Sequence, residues 1–138
     1  VRLKFLFEEM NISASNRTEL IDITDKVERF VNDSDIKNGI CLVSTLHSTT
    51  AVIVNENERG LMNDILRKID QEFPKNAGWS HDRIDNNAGA HLASTFIGPS
   101  RTLPIKDGRL LRGTWQNIFL LELDGPRNRR IVVEVLGE

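Results

Sequence analysis

The pair Asp107-Gly108, with Ile105 before it and Leu110 after it, narrows the folds open to this chain more than any other feature. Asp-Gly tolerates positive φ at both central positions of a tight turn, and that turn matches the twist of two antiparallel strands. Residues 100–118, SRTLPIKDGRLLRGTWQNI, therefore read as a β-hairpin, and a chain built on hairpins buries a sheet face by antiparallel pairing. The second arm breaks off into Gly113-Thr114-Trp115-Gln116, where a continuing strand would favour Val, Ile or Thr. A glycine there lets the backbone turn or approach something closely, while Trp115 and Gln116 supply a flat apolar wall and an amide.

The remaining elements follow from periodicity and punctuation. Residues 2–8 read as a strand with Leu3, Phe5 and Phe7 on one face, and residues 19–23 as a second. Thr24 is placed to cap a short helix, with Asp25 in its first turn and Val27, Phe30 and Val31 as its apolar face, ending at Asn32-Asp33-Ser34. Gly39 opens a strand over 40–46 that is apolar enough for burial on both faces, and 50–54 forms the next. His47-Ser48-Thr49 thus falls at a strand end or turn. Residues 58–73 carry Leu61, Ile65, Ile69 and Phe73 on one stripe of a helix that Pro74 stops. Residues 75–85, with Trp79 and His81, lack periodicity and read as a loop. A third helix spans 88–97, with Leu92 and Phe96 inward and Gly98-Pro99 at its end. After the hairpin come a strand over 117–123, a turn at Asp124-Gly125-Pro126 and a last strand over 131–136. The sum is an α+β fold: one domain over residues 1–138, a mixed, mostly antiparallel sheet and about three helices, with no repeat or linker.

Composition bounds the function. A chain of 138 residues is long enough to bury a core. A net charge of −2 offers no basic face for nucleic acid. Arg127, Arg129 and Arg130 do cluster, and the expectation for them is a solvated turn. The single cysteine, Cys41, lies in an apolar strand and reads as a core residue, so there is no disulfide framework and nothing points to secretion. No apolar run approaches membrane-spanning length and the N-terminus lacks a signal-peptide pattern, which makes the cytoplasm the expected location.

The chain has three histidines, His47, His81 and His91, expected on a strand end, a loop and a helix. Imidazole is the commonest metal ligand, and a catalytic zinc typically takes three protein ligands and leaves a position for water or substrate. No pair of these histidines has the local spacing of a helical or knuckle-type zinc motif, so the spacing leaves a shared site and separate surface or capping roles both open. Asp82 can orient an imidazole or simply hold its loop, and Asp85, Asn86 and Asn87 carry the same ambiguity. Asn55 or Asn57 can cap the following helix, and Glu56 can be a general acid or base. Ser44, Thr45, Ser48, Thr49 and Thr50 surround His47 with hydroxyls, which suit phosphate or sulfate oxygens but are also ordinary strand residues. Thr114 and Gln116 can add to such a site, with Trp115 as its wall. No Gly-rich phosphate loop and no Gly-x-Ser-x-Gly elbow is present, which argues against nucleotide hydrolases, nicotinamide enzymes and α/β-hydrolases.

Three blocks together resemble the YjbQ-like family. They are Gly113-Thr114-Trp115-Gln116 preceded by Ser100, Leu103, Ile105 and Gly108; Leu46-His47-Ser48-Thr49-Thr50-Ala51 followed by Val54-Asn55-Glu56-Asn57; and His81-Asp82 followed by Asn87-Ala88 and His91. The resemblance runs through the closing Arg129-Arg130-Ile131-Val132-Val133-Glu134-Val135. It implies a metal-bearing pocket with His47, His81 and His91 as ligands to a divalent metal, expected to be zinc. It also implies Glu56 and Asp82 as catalytic carboxylates, and Ser48, Thr49, Asn55, Asn87, Thr114, Trp115 and Gln116 as substrate or anion contacts. Some similar sequences carry a further histidine where this chain has Gly89, which would leave a coordination position open here. The implied activity is that of a thiamine-phosphate synthase on phosphorylated metabolites, as a main or a side reaction, in a homotrimer with pockets at or near the subunit interfaces. A non-catalytic trimeric metal- and anion-binding module and a metal-assisted hydrolase are the competing expectations.

Overall fold

The computed structural model describes residues 2–138. Eight strands and three α-helices follow in the order β1 (Lys4–Ser13), β2 (Glu19–Asp22), α1 (Thr24–Ser34), β3 (Gly39–Thr45), β4 (Thr50–Asn55), α2 (Arg59–Glu72), α3 (Ala88–Ile97), β5 (Ser100–Lys106), β6 (Arg109–Leu110), β7 (Asn117–Glu122) and β8 (Asn128–Gly137). All pairings are antiparallel, but they form two sheets rather than one: a five-stranded sheet in the order β1-β8-β3-β5-β6 and a three-stranded sheet in the order β2-β7-β4. The Asp107-Gly108 turn is as expected, with φ of 53° and 82° and Lys106 paired to Arg109. The chain leaves the large sheet after β6 and enters the small one at β7.

The sheets pack face to face. Cys41, Val43, Ile131, Val133 and Val135 from the large sheet meet Val52, Ile118 and Leu120 from the small one, and Ile23, Val27 and Val31 close the side. The opposite face of the small sheet, with Leu20, Ala51, Phe119 and Leu121, is covered by α2 and α3 through Ile65, Ile69, Ala93 and Ile97. β7 is thus apolar on both faces, which accounts for the unbroken run over 118–121. Cys41 is fully buried, and burial pushes its thiol up to about 12. Among the described residues no helix is long and apolar enough to cross a membrane.

Several expectations shift. β1 continues to Ser13 because its ladder with β8 runs on to Ser13 and Asn128. Phe5 and Phe7 do share a face, but that face points away from the core. Phe5, Leu136, Ile40 and Pro104 form one cross-strand row there, and Phe5, Ile40 and Leu136 are 60%, 47% and 41% exposed. Thr24 is the first residue of α1, not its cap. The Asp22 carboxylate accepts from the Thr24 N–H and hydroxyl (2.9 and 2.6 Å), and the hydroxyl accepts from the Ile118 N–H. Glu58, rather than Asn55 or Asn57, caps α2 by accepting from the N–H groups of Gly60 and Leu61. The loop over 75–85 contains one 3-10 turn, Ser80–Arg83. α3 has the expected bounds but turns Ala90, Ala93 and Ile97 inward, while Phe96 lies outside and stacks on Phe73. Only a small-residue face lets α3 approach β4 closely enough for the Ser94 hydroxyl to donate to the Thr50 carbonyl at 2.7 Å.

Candidate functional site

His47 lies in the turn between β3 and β4, and hydroxyls tie that turn down. The Thr45 and Thr50 hydroxyl oxygens are 2.6 Å apart, the His47 N–H donates to Thr45 Oγ1, and Thr50 Oγ1 donates to the His47 carbonyl. Where the ladder between β3 and β8 runs out, the Leu46 N–H donates to the Arg130 carbonyl and the Arg130 N–H donates to His47 Nε2 at 2.9 Å. The imidazole thereby replaces a strand carbonyl as the acceptor of the last rung. Partial burial, then Arg129 and Arg130, hold its pKa below the usual histidine value, with Glu122 opposing them.

Beneath this turn is a pair that the sequence reading did not single out. Arg129 was expected in a solvated turn, but β8 begins at Asn128 and carries Arg129 into the space between the sheets. Its side chain and that of Glu122 are 3% and 0% exposed. Arg129 Nε donates to Glu122 Oε1 at 2.7 Å, and Nη2 donates to Glu122 Oε2 and to Thr49 Oγ1. Glu122 Oε2 also accepts from the N–H groups of Leu123 and Asp124, both at 3.0 Å. The available signal was Glu122 itself, a charge at the end of a buried apolar run, which requires a partner.

On the other side of the 122–124 segment is the second histidine block. Asn87 Nδ2 donates to Asp124 Oδ2 at 3.0 Å, and Asp82 Oδ1 accepts from the Ala88 N–H at 2.9 Å. The His81 and His91 rings stand edge to face with centroids 4.8 Å apart. Three atoms of this loop, His81 Nε2, Asp82 Oδ2 and Asn87 Oδ1, are buried with no hydrogen-bond partner among the described residues. An imidazole nitrogen, a carboxylate oxygen and an amide oxygen are all capable metal ligands, and leaving them buried and unpaired is costly. All three are of the kind that ligates a divalent cation, although among the described residues no three His, Cys, Asp or Glu side chains form an ion site by themselves. Position 89 supplies no ligand, for a steric reason. A Cβ on buried Gly89 would stand 2.6 Å from the Phe73 carbonyl oxygen, so the first turn of α3 packs against the end of α2 only with glycine there.

The other site residues lie elsewhere. Asn55 pairs with Asn117 at the far end of β4 from His47, five strand steps beyond Thr50, or roughly 17 Å at about 3.3 Å per residue. Glu56 is there, half-buried, with its backbone N–H held by Asn55 Oδ1. The side-chain amides of Asn57 and Asn117 both donate to Asp22 Oδ2 at 2.7 Å. Thr114, Trp115 and Gln116 occupy the same end: Trp115 is 70% exposed and Gln116 Oε1 accepts from the Gly113 N–H. Nearby, Lys37, Arg109, Arg112, Glu28 and Thr114 line a cleft of about 670 Å³. Within one chain, His47, Ser48 and Thr49 thus neighbour the segment that His81, Asp82, Asn87 and His91 flank. Asn55, Glu56, Thr114, Trp115 and Gln116 form a separate group.

Known proteins match over almost the whole chain. The pattern of a family described as "UPF0047 protein YjbQ-like" matches residues 8–138. A UPF0047 protein of Archaeoglobus fulgidus is 48% identical over 128 residues, 93% of this chain and 99% of that protein. One from Methanothermobacter thermautotrophicus is 47% identical over 131 residues, 95% of this chain and 92% of that protein. Among solved structures, a YbjQ-like protein of unknown function from Sulfolobus solfataricus P2 superposes with a TM-score of 0.98 at 54% identity, covering 99% of this chain and 100% of that one. A hypothetical protein from Aeropyrum pernix K1 does so with a TM-score of 0.94 at 40% identity, over 96% and 99% of the two chains.

Proposed function

From the premise that this chain belongs to the YjbQ-like (UPF0047) family, we propose that it is a metal-associated enzyme acting on a phosphorylated metabolite. The reaction in view is that of a thiamine-phosphate synthase: a hydroxymethylpyrimidine diphosphate is joined to a thiazole phosphate and diphosphate departs. The observation that carries this reading is the trio of buried, unpartnered atoms in one loop, His81 Nε2, Asp82 Oδ2 and Asn87 Oδ1, beside the His91 ring. These groups would hold the divalent ion, which we take to be zinc. When bound, such an ion supplies positive charge for an anionic leaving group. We take Thr49, whose hydroxyl oxygen accepts from Arg129, and Ser48, whose side chain is exposed, as the groups that would hold phosphate oxygens.

We take the assembly to be a homotrimer. The exposed row of Phe5, Leu136 and Ile40 on the outer face of the large sheet supports a second copy as its cover. A trimer also offers the route by which the group around Glu56 in one subunit can face the histidines of another.

The test is an assay of thiamine phosphate from the two substrates with zinc, magnesium or manganese. Product and diphosphate should appear together and be lost in His81→Ala. No product with any of the three ions would overturn the enzymatic reading. One observation favours the alternative of a non-catalytic metal- and anion-binding module: Glu56, the carboxylate expected as a base, lies at the opposite end of β4 from His47. That reading predicts tight binding of phosphorylated ligands without turnover.

A further inference from the structure

His47 fills a position in the backbone ladder, and this limits what else it can do. Thr45 pairs with Ile131, so the next rung would join Leu46 and Arg130 in both directions. Only half of that rung forms from backbone: the Leu46 N–H reaches the Arg130 carbonyl at 3.3 Å, whereas the Arg130 N–H goes to His47 Nε2 at 2.9 Å. A neutral imidazole has one lone-pair nitrogen and one N–H. With the Nε2 lone pair engaged, the proton resides on Nδ1, and coordination through Nδ1 would require the ring to lose that proton as well. As long as the Arg130 amide is bound, His47 is a hydrogen-bond donor and not a metal ligand.

Its Nδ1–H has no acceptor among the described residues. The groups around it are suited to an anion. Ser48, the next residue, is exposed and has no partner for its hydroxyl among the described residues, and Thr49, though only 5% exposed, accepts at Oγ1 from Arg129 and keeps its own proton to donate. Burial of the ring, followed by the Arg129 and Arg130 guanidinium groups, disfavours its protonation, with Glu122 opposing.

We propose that His47 is a phosphate-binding residue, donating through Nδ1–H to a phosphoryl oxygen together with Ser48 and Thr49, and that the metal is held without it. This rests on reading the pocket as one for a phosphorylated metabolite. It divides the site into an anion half, on the turn between β3 and β4, and a metal half, on the loop over 81–87 and α3.

Two variants separate the roles of the ring nitrogens. His47→Gln keeps an acceptor near the position of Nε2 but removes the Nδ1 donor; His47→Asn keeps a donor near Nδ1 but removes the ladder acceptor. Inorganic phosphate and diphosphate would be titrated calorimetrically into wild type and both variants, with and without zinc. Long-range proton–nitrogen NMR would report the His47 tautomer. The expected results are a proton on Nδ1, no change in the Nε2 resonance when zinc is added, and phosphate affinity in His47→Gln lower by roughly 10- to 100-fold, the loss of a charge-assisted hydrogen bond. His47→Asn should retain more of that affinity, and zinc content should be unchanged in both. A proton on Nε2, loss of zinc in His47→Gln, or unaltered phosphate affinity in that variant would each overturn the proposal, the last by making His47 only the end of a ladder. If wild type takes up no zinc yet shows the tautomer and the phosphate effect, the metal-dependent function fails and the anion half stands.

Discussion

Removing the Glu122 carboxylate should be among the most damaging single changes in this protein. The Arg129 side chain is 3% exposed and its partners are two Glu122 oxygens and the Thr49 hydroxyl. In Glu122→Ala the guanidinium keeps one neutral partner, and the N–H groups of Leu123 and Asp124 lose their acceptor. Breaking a buried ion pair from one side costs about 3–5 kcal/mol, because the remaining charge is stranded. For a domain of this size that corresponds to a fall in Tm of about 10–15 °C, at about 3 °C per kcal/mol. Removing both charges, in Glu122→Leu with Arg129→Met, should recover the part of the loss that comes from the stranded guanidinium, while the N–H groups of Leu123 and Asp124 stay without their acceptor. The assay is urea unfolding followed by circular dichroism at fixed protein concentration, on wild type, Glu122→Ala, the single variants Glu122→Leu and Arg129→Met, and the double variant. A Glu122→Ala cost below about 1 kcal/mol, or a double variant whose loss equals the sum of the singles, would refute the claim that burial makes this pair interdependent.

Other expectations are as direct. Burial alone would raise the Asp22 pKa, but hydrogen bonds from the Thr24 hydroxyl and N–H, Asn117 and Asn57 outweigh it and hold the carboxyl below its ordinary value of 3.8. The depressed folded-state pKa means that the contribution of Asp22 is present above pH 3.8 and lost as pH falls through the folded pKa. Asp22→Ala should thus cost about 1–2 kcal/mol at pH 7, the scale of a lost helix cap, and the gap to wild type in thermal unfolding should narrow below about pH 4. Gly89→Ala should destabilise by about 1–3 kcal/mol in chemical denaturation, because its Cβ meets the Phe73 carbonyl at 2.6 Å. On the trimer proposed above, Ile40→Glu on the outer face should leave the fold intact by circular dichroism and lower the light-scattering mass from three chains to one; a wild-type mass of one chain, or an unchanged mass in the variant, would contradict that assembly.

How legible the fold was depended on how local its causes were. Asp107-Gly108 and Gly98-Pro99 act within a few residues, so the hairpin and the end of α3 were where the sequence put them. Alternation in Phe5 and Phe7 gave the shared face but not its direction, because a one-sided pattern does not say whether the core or another surface covers that side. The inward face of α3 was misread because Ala90, Ala93 and Ser94 are small, and a search for large apolar residues selects Phe96 instead. Arg129 was missed because its partner Glu122 lies across a turn, seven residues away. In the candidate site, His81, Asp82, Asn87 and His91 came together as their shared loop and helix allow. Glu56 and His47 did not, because six residues of extended strand lie between their two ends.

The most direct test of the account is the metal content of tag-free protein, measured by mass spectrometry on wild type, His81→Ala and His47→Gln under one purification. The division of the site predicts about one divalent ion per chain in wild type, the same in His47→Gln, and loss in His81→Ala with the fold intact. A metal-free wild type that also refuses added zinc, or a His81→Ala variant as fully loaded as wild type, would contradict it.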